Sequence, residues 1–334
     1  MSEEAADGQR PLPRIAVPLD IDPAALADGP PQGVITRFTG RTMGTLWTVH
    51  AVLPREVKAQ DLALAVTARL DDLVAQLSHW DDASALFAFN HSAPGCTHLL
   101  PGDLAHVLRA ALALARETGG AFDPAIGTLV NLWGHGPFPA PIQPPAPEAI
   151  ADALASGGYT RLEELDQRPS LTQPGGLHLD LSGIGKGHAV DALAEVIESE
   201  GVAHFLVEVG GEFAGRGMRP DGDPWWVELE TPVSDIAPVR LALHQIAVAT
   251  SGDYVRGHHT IDPRTGQPVD HALCLSVIHE SAMMADGWAT ALGVLPPEEA
   301  MAMAESNALA VRALWRIDGG VREWISPALA AMMA

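Results

Sequence analysis

The chain has 334 residues, 47% of them hydrophobic, which is enough to bury a full core in one large domain or two closely joined ones. It carries 20 Lys and Arg against 42 Asp and Glu, a net charge of −22 at pH 7. That balance argues against nucleic acid and anionic lipid as partners, while a few local donors could still hold a small anion.

Two cysteines, Cys96 and Cys274, are too few for a disulfide framework or a Cys-built zinc site. One bridge between them and two free thiols are both open. No stretch of about 18 uninterrupted apolar residues predicts a membrane span. The start, MSEEAADGQRPLPRIAVPLD, lacks a basic segment followed by an apolar run, so a soluble, cytoplasmic chain is expected.

Residues 1–33 are rich in Pro, Asp and Ala and read as an N-terminal arm, with Ile15–Val17 able to add an edge strand. Residues 34–334 are expected to form one domain. VITRFTGRTMGTLWTVHAVL at 34–53 predicts strand, tight turn and strand, broken at Gly44 and Thr45. Leu62, Val66, Leu70, Leu73 and Leu77 recur at helical spacing and predict a helix over 59–77. Leu104, Val107, Leu108, Ala111, Leu112 and Ala115 do the same over 102–118.

A Pro-rich loop follows at 137–147, then a short helix near 147–155. Strands are predicted at 177–181, 204–209, 225–230, 239–248 and 273–279, and helices at 185–200 and 283–294. Strands arrive both in adjacent runs and alternating with helices. The fold class is therefore α+β (mixed α/β), with two interlocked lobes and mixed or antiparallel sheets flanked by helices.

Five segments could carry chemistry. LDLSGIGKGHAVD at 179–191 predicts a strand, a Gly-rich turn and a helix start, where free N–H groups and Lys186 would suit a phosphate. It is neither a P-loop nor a dinucleotide fingerprint, and a plain turn is the simpler alternative. In ADGWATALGV, Asp286 and Thr290 stand four apart and share one helix face. A carboxylate and a hydroxyl are hard donors suited to Mg2+ or Ca2+, unless Asp286 merely caps the helix.

DPRTG within 249–269 is a turn signal, and His258 and His259 precede it, either as a general base or as surface histidines. GGAFDPAIGTLVNLWG at 119–134 sets Phe122 and Trp133 among glycines, as a slot for a flat ring or an ordinary helix-to-loop junction. VEVGGEFAGRG at 207–217 runs a strand into a Gly-Gly bend where backbone could approach a ligand.

Taken in order, TMGTLW, LSHWDDASALFAFN, GAFDPAIGTLVNLWG, LDLSGIGKGHAVD, VEVGGEFAGRG, ATSGDY with HTIDPRTGQPV, and ADGWATALGVL resemble the flavin transferase (ApbE) family across about residues 35–305. The resemblance implies an ApbE-like fold with FAD at the junction of the lobes. It also implies an FAD:protein FMN transferase that uses Mg2+ or another divalent cation. Such an enzyme moves the FMN half of FAD onto a Ser or Thr hydroxyl of an acceptor protein, such as a subunit of a redox complex, and releases AMP.

Carried over by motif, Asp286, Thr290 and the Gly183 carbonyl would hold the metal. Met43, Trp80, Ala121, Phe122, Asp123, Asp180, Lys186 and Ile261 would line the FAD site. His259 would be the base for the attacking hydroxyl. Two other outcomes fit the same residues: metal-dependent hydrolysis of FAD to FMN and AMP, and flavin binding without catalysis. Ala125 stands where the family commonly has Thr, and the stretch 254–259 is shorter than the family's aromatic hairpin. Family members often carry an export signal or a lipid-bearing Cys, and neither is legible here.

Overall fold

The β-branched, alternating segments of the chain pair into one long antiparallel sheet, and the leucine-periodic segments cover it. A computed structural model describes residues 11–21, 29–162, 165, 169–254, 257 and 259–334. The first strand, β1 (Arg14–Ala16), is followed by the hairpin β2 (Ile35–Thr42) and β3 (Thr45–Val52). Met43 and Gly44 form its two-residue turn with φ of 46° and 72°. Positive φ at both central positions matches the twist of a tight hairpin, and Met43 holds a conformation that costs a non-glycine residue energy.

Helix α1 (Ala59–Leu77) buries Leu62, Val66, Leu70, Leu73 and Leu77, the set that the spacing predicts. Burying each such leucine contributes about 1.5–3 kcal/mol. Then come α2 (Ala85–Asn90), β4 (Thr97–Leu99), α3 (Gly102–Glu117), α4 (Gly127–Leu132), α5 (Pro147–Ser156) and β5 (Ser170–Thr172). Helix α6 (Gly185–Ser199) leads into β6 (Phe205–Val209), β7 (Glu212–Arg216), β8 (Trp225–Glu228), β9 (Val239–Leu243), β10 (Ile246–Gly252) and β11 (Ala272–His279). The chain closes with α7 (Ala282–Val294), α8 (Pro297–Ser306), β12 (Ala310–Ile317), β13 (Gly320–Ile325) and α9 (Pro327–Met332).

The main sheet has eight strands in the order β13-β12-β11-β10-β7-β6-β3-β2. Every neighbouring pair in it is antiparallel. A second sheet, β1-β9-β8, includes one parallel pair, with Ile15 opposite Arg240. Part of the N-terminal arm is thus sheet, built from Arg14–Ala16. The architecture is the mixed α and β class expected, with antiparallel pairing dominant.

Two expected strands take another form. Residues 177–181 are not a strand. Their alternation suits one, but the backbone bonds elsewhere: Leu179 N–H donates to Asn90 Oδ1 at 2.7 Å, and Asn90 Nδ2 returns a bond to the Leu179 carbonyl at 2.9 Å. Asp180 N–H donates to the Pro124 carbonyl and Gly127 N–H to the His178 carbonyl. A side-chain amide and a loop satisfy the groups that a ladder would use. The stretch 239–248 is two strands, because Gln245 turns the chain at a φ of 60°.

Helix α7 is buried almost all round, which places it inside the molecule and not on a face. Asp191 of α6 fixes its start, accepting from Ser281 Oγ at 2.7 Å, Ala282 N–H at 2.8 Å and Met283 N–H at 2.9 Å. Ser281 is the N-cap, so Asp286 lies inside the helix and does not cap it. Cys96 is exposed and Cys274 is buried, and both are free thiols. Among the described residues no helix is long and apolar enough to cross a membrane.

Candidate active site

The first turn of α6 rests on α7, and the contact is as close as backbone allows. A Cβ on Gly187 would lie 2.2 Å from the Ala282 carbonyl oxygen and 2.8 Å from Asp286 Cβ. Glycine there lets Gly187 N–H reach Asp286 Oδ2 at 3.0 Å. Asp286 is only 2% exposed and sits at the N-terminal end of α6, where the helix dipole favours a negative charge. Burial still pushes its carboxyl upward, and the Lys186 ammonium pulls the other way.

Thr290 lies one turn further along α7. Its hydroxyl donates to the Gly183 carbonyl at 3.2 Å. Ser251 Oγ stands 3.2 Å from the same hydroxyl oxygen. Thr290 has one hydroxyl proton, so Ser251 is the donor in that pair. The turn before α6 therefore brings together a carboxylate, a hydroxyl and a carbonyl oxygen. These are the hard donors that Mg2+ takes while keeping places for water and phosphate oxygens. No group of three His, Cys, Asp or Glu side chains gathers for a metal among the described residues.

Lys186 projects from the same turn and pairs with Glu212 of β7. Glu212 is 1% exposed, and burial raises its carboxyl to about 7 against the pull of Lys186. The Asp286 charge adds to that rise.

Asp180, upstream of the turn, accepts from Ser182 N–H at 2.7 Å and lies 3.7 Å from His79 Nδ1. The two line a cleft with Asn131 and His178. Trp80 follows His79 in the chain, 62% exposed, with the two rings 5.5 Å apart.

Ala121 and Phe122 are buried in the main core. Asp123 accepts from Ala125 N–H at 2.7 Å and Tyr159 N–H at 3.0 Å, and burial raises its carboxyl to about 6 despite both bonds. Asp123 lines a second cleft with Pro263 of the DPRTG turn. Ile261 is buried beside that turn and bridges Pro268. Met43 packs against the main core from the strained hairpin turn.

Phe122 and Trp133 do not form one slot. Trp133 belongs to a satellite cluster with Leu129 and Ile261, and its Nε1 donates to the Gly266 carbonyl at 2.8 Å. His259 is half-buried, and its Nδ1 lies 2.9 Å from the Gly257 carbonyl. A carbonyl can only accept, so Nδ1 is the donor in that pair and Nε2 is the ring nitrogen left for another partner. His258 and most of the short lip, residues 255–256, lie outside the described residues.

Sequence reasoning did not single out Glu212, Ser251 or His79. The Gly-Gly bend marks the neighbourhood of Glu212, but its partner is 26 residues away and no local pattern reveals it.

The ApbE family model matches residues 43–315. The chain belongs to the ApbE family. It is 37% identical to the FAD:protein FMN transferase of Klebsiella pneumoniae (strain 342) over 318 residues, covering 91% of each chain. It is 36% identical to the FAD:protein FMN transferase of Salmonella typhimurium, covering 86% of each. Among solved structures, the flavin transferase ApbE of Vibrio cholerae superposes with a TM-score of 0.84 at 32% identity, over 89% of this chain and 98% of that one. The apo form of the Pseudomonas stutzeri flavinyl transferase ApbE gives 0.82 at 35% identity, over 90% and 96%. Its antiparallel sheet and buried helix pair are thus those of an ApbE protein.

Proposed function

We propose that this ApbE protein is a flavinyltransferase that moves the FMN half of FAD onto a Ser or Thr hydroxyl of an acceptor protein and releases AMP. The observation that carries the reading is the oxygen cluster where α6 meets α7, with Asp286 on Gly187 N–H and Thr290 on the Gly183 carbonyl, in a chain of this family. Residues 34–334 would act as one catalytic unit.

Phosphoryl transfer asks a protein mainly for alignment and charge stabilisation. Asp286, Thr290 and the Gly183 carbonyl would hold Mg2+ or another divalent cation. When bound, that ion would neutralise charge developing on the diphosphate. Lys186 would add a cation beside it. Met43, Trp80, Ala121, Phe122, Asp123, Asp180 and Ile261 would line the remaining FAD surface.

His259 Nε2 would take the proton of the acceptor hydroxyl. The hydroxyl oxygen forms a bond to the phosphorus of the FMN half. The anhydride bond breaks, its electron pair leaves with AMP, and a phosphoester joins flavin and acceptor. The test is mass spectrometry of the protein incubated with FAD, Mg2+ and an acceptor bearing a Ser/Thr-Gly-Ala-Ser/Thr segment. Stoichiometric AMP and a covalently flavinylated acceptor are expected. Absence of both over a panel of acceptors overturns the reading.

A further inference from the structure

The flavin-transfer reading leaves one buried acid beside the site without a role. Glu212 opens β7 immediately after the Gly210–Gly211 turn. One carboxylate oxygen, Oε1, accepts from Lys186 Nζ, and the other, Oε2, is buried with no partner among the described residues. An isolated buried carboxylate oxygen is costly, so the ammonium is what keeps this charge inside the protein.

The two partners differ in access. The Glu212 side chain is 2% exposed and that of Lys186 is 25% exposed. A ligand can therefore reach the ammonium but not the carboxylate. Lys186 is also neighbour to the metal-type cluster, since the next N–H along, that of Gly187, is held by Asp286. Lys186 thus stands between two buried acids, and its charge is already claimed before a diphosphate arrives.

We propose that Glu212 is a positioning residue for flavin transfer, which holds the Lys186 ammonium at the first turn of α6 until the diphosphate of FAD draws it away. The proposal rests on FAD being the ligand of this site. Glu212 then competes with the diphosphate for one cation. FAD binding must displace part of the Lys186–Glu212 attraction, and the same attraction recovers the ammonium once the anhydride has broken and AMP leaves.

Competition has a signature that a structural role lacks, because removing the competitor strengthens binding. FAD affinity is measured by flavin fluorescence without added metal for wild type, Glu212→Gln, Lys186→Met and the double variant. E212Q is expected to bind FAD at least threefold tighter than wild type. The gain should vanish when Lys186 is Met. Thermal unfolding gives a second measure independent of ligand. K186M strands the Glu212 charge and should lower Tm by about 5 °C, and adding E212Q should recover most of that loss.

FAD affinity that is unchanged or weaker in E212Q overturns the proposal, as does a gain that survives in the K186M background. If E212Q does not fold, the thermal cycle decides: no recovery in K186M/E212Q overturns it. Wild type that fails to bind FAD both without metal and with Mg2+ overturns this proposal and the transfer reading together. Wild type that binds FAD with the expected coupling, yet yields no AMP or flavinylated acceptor, overturns the transfer reading alone.

Discussion

The Thr290 hydroxyl donates to the Gly183 carbonyl at 3.2 Å, so a single hydrogen bond closes the gap between α7 and the turn that enters α6. Both oxygens belong to the proposed cation site. Thr290→Val keeps the shape and removes the hydroxyl. Removing even an outer partner of a metal ligand costs about 10–100-fold in affinity. T290V should therefore bind Mg2+ or Mn2+ at least tenfold more weakly, read by calorimetry or by Mn2+ paramagnetic resonance, with Tm close to wild type. Unchanged cation affinity would remove Thr290 from the ligand set.

His259 makes a sharper kinetic prediction. Its Nδ1 is committed to the Gly257 carbonyl, which leaves Nε2 as the basic nitrogen. General base catalysis contributes about 10²–10⁴-fold. Single-turnover flavinylation by His259→Ala should slow by that range, while the FAD dissociation constant stays within about twofold of wild type. A comparable loss of FAD binding would instead mark His259 as a binding group.

Asp123 predicts a pH dependence of stability. Its carboxyl is raised from 3.8 to about 6 by burial, so the folded state prefers the protonated form. That contribution to stability is present in full below the unfolded value and is lost as pH rises through about 6. Its size is on the order of 3 kcal/mol. Against Asp123→Asn, the wild-type protein should lose relative stability between about pH 4 and 7, followed by urea unfolding. A flat difference across that window would show the carboxyl to be ionised without penalty.

Gly187 tests the seating of the two helices. A methyl group there would meet the Ala282 carbonyl oxygen at 2.2 Å, and backbone cannot swing aside as a flexible side chain does. Gly187→Ala should destabilise the fold by about 1–3 kcal/mol, the usual cost of overpacking. It should also move Asp286, whose Cβ is the next neighbour at 2.8 Å, and so weaken cation binding. An alanine variant with normal stability and cation affinity would show that α6 and α7 can part without consequence.

Much of this was legible in the chain. The leucines of α1 bury as a set because a 3.6-residue period is a local property that tertiary contacts only confirm. The positions of Asp286 and Thr290 on one face follow from the same period. Residues 177–181 alternate like a strand, yet the Asn90 side chain takes the backbone bonds of Leu179 from 89 positions away. Trp133 reads as part of a ring slot until Gly266, 133 residues on, accepts its indole N–H. Glu212 is invisible for the same reason, since a buried acid is recognised by its partner and not by its neighbours in sequence.

The Asp191 carboxylate, which gathers Ser281, Ala282 and Met283, makes the two central helices one rigid part. The segments 133–147 and 259–266 lie outside those two helices, joined to each other by the Trp133–Gly266 bond. Changes in those segments can therefore be made without touching the contacts that seat α6 on α7.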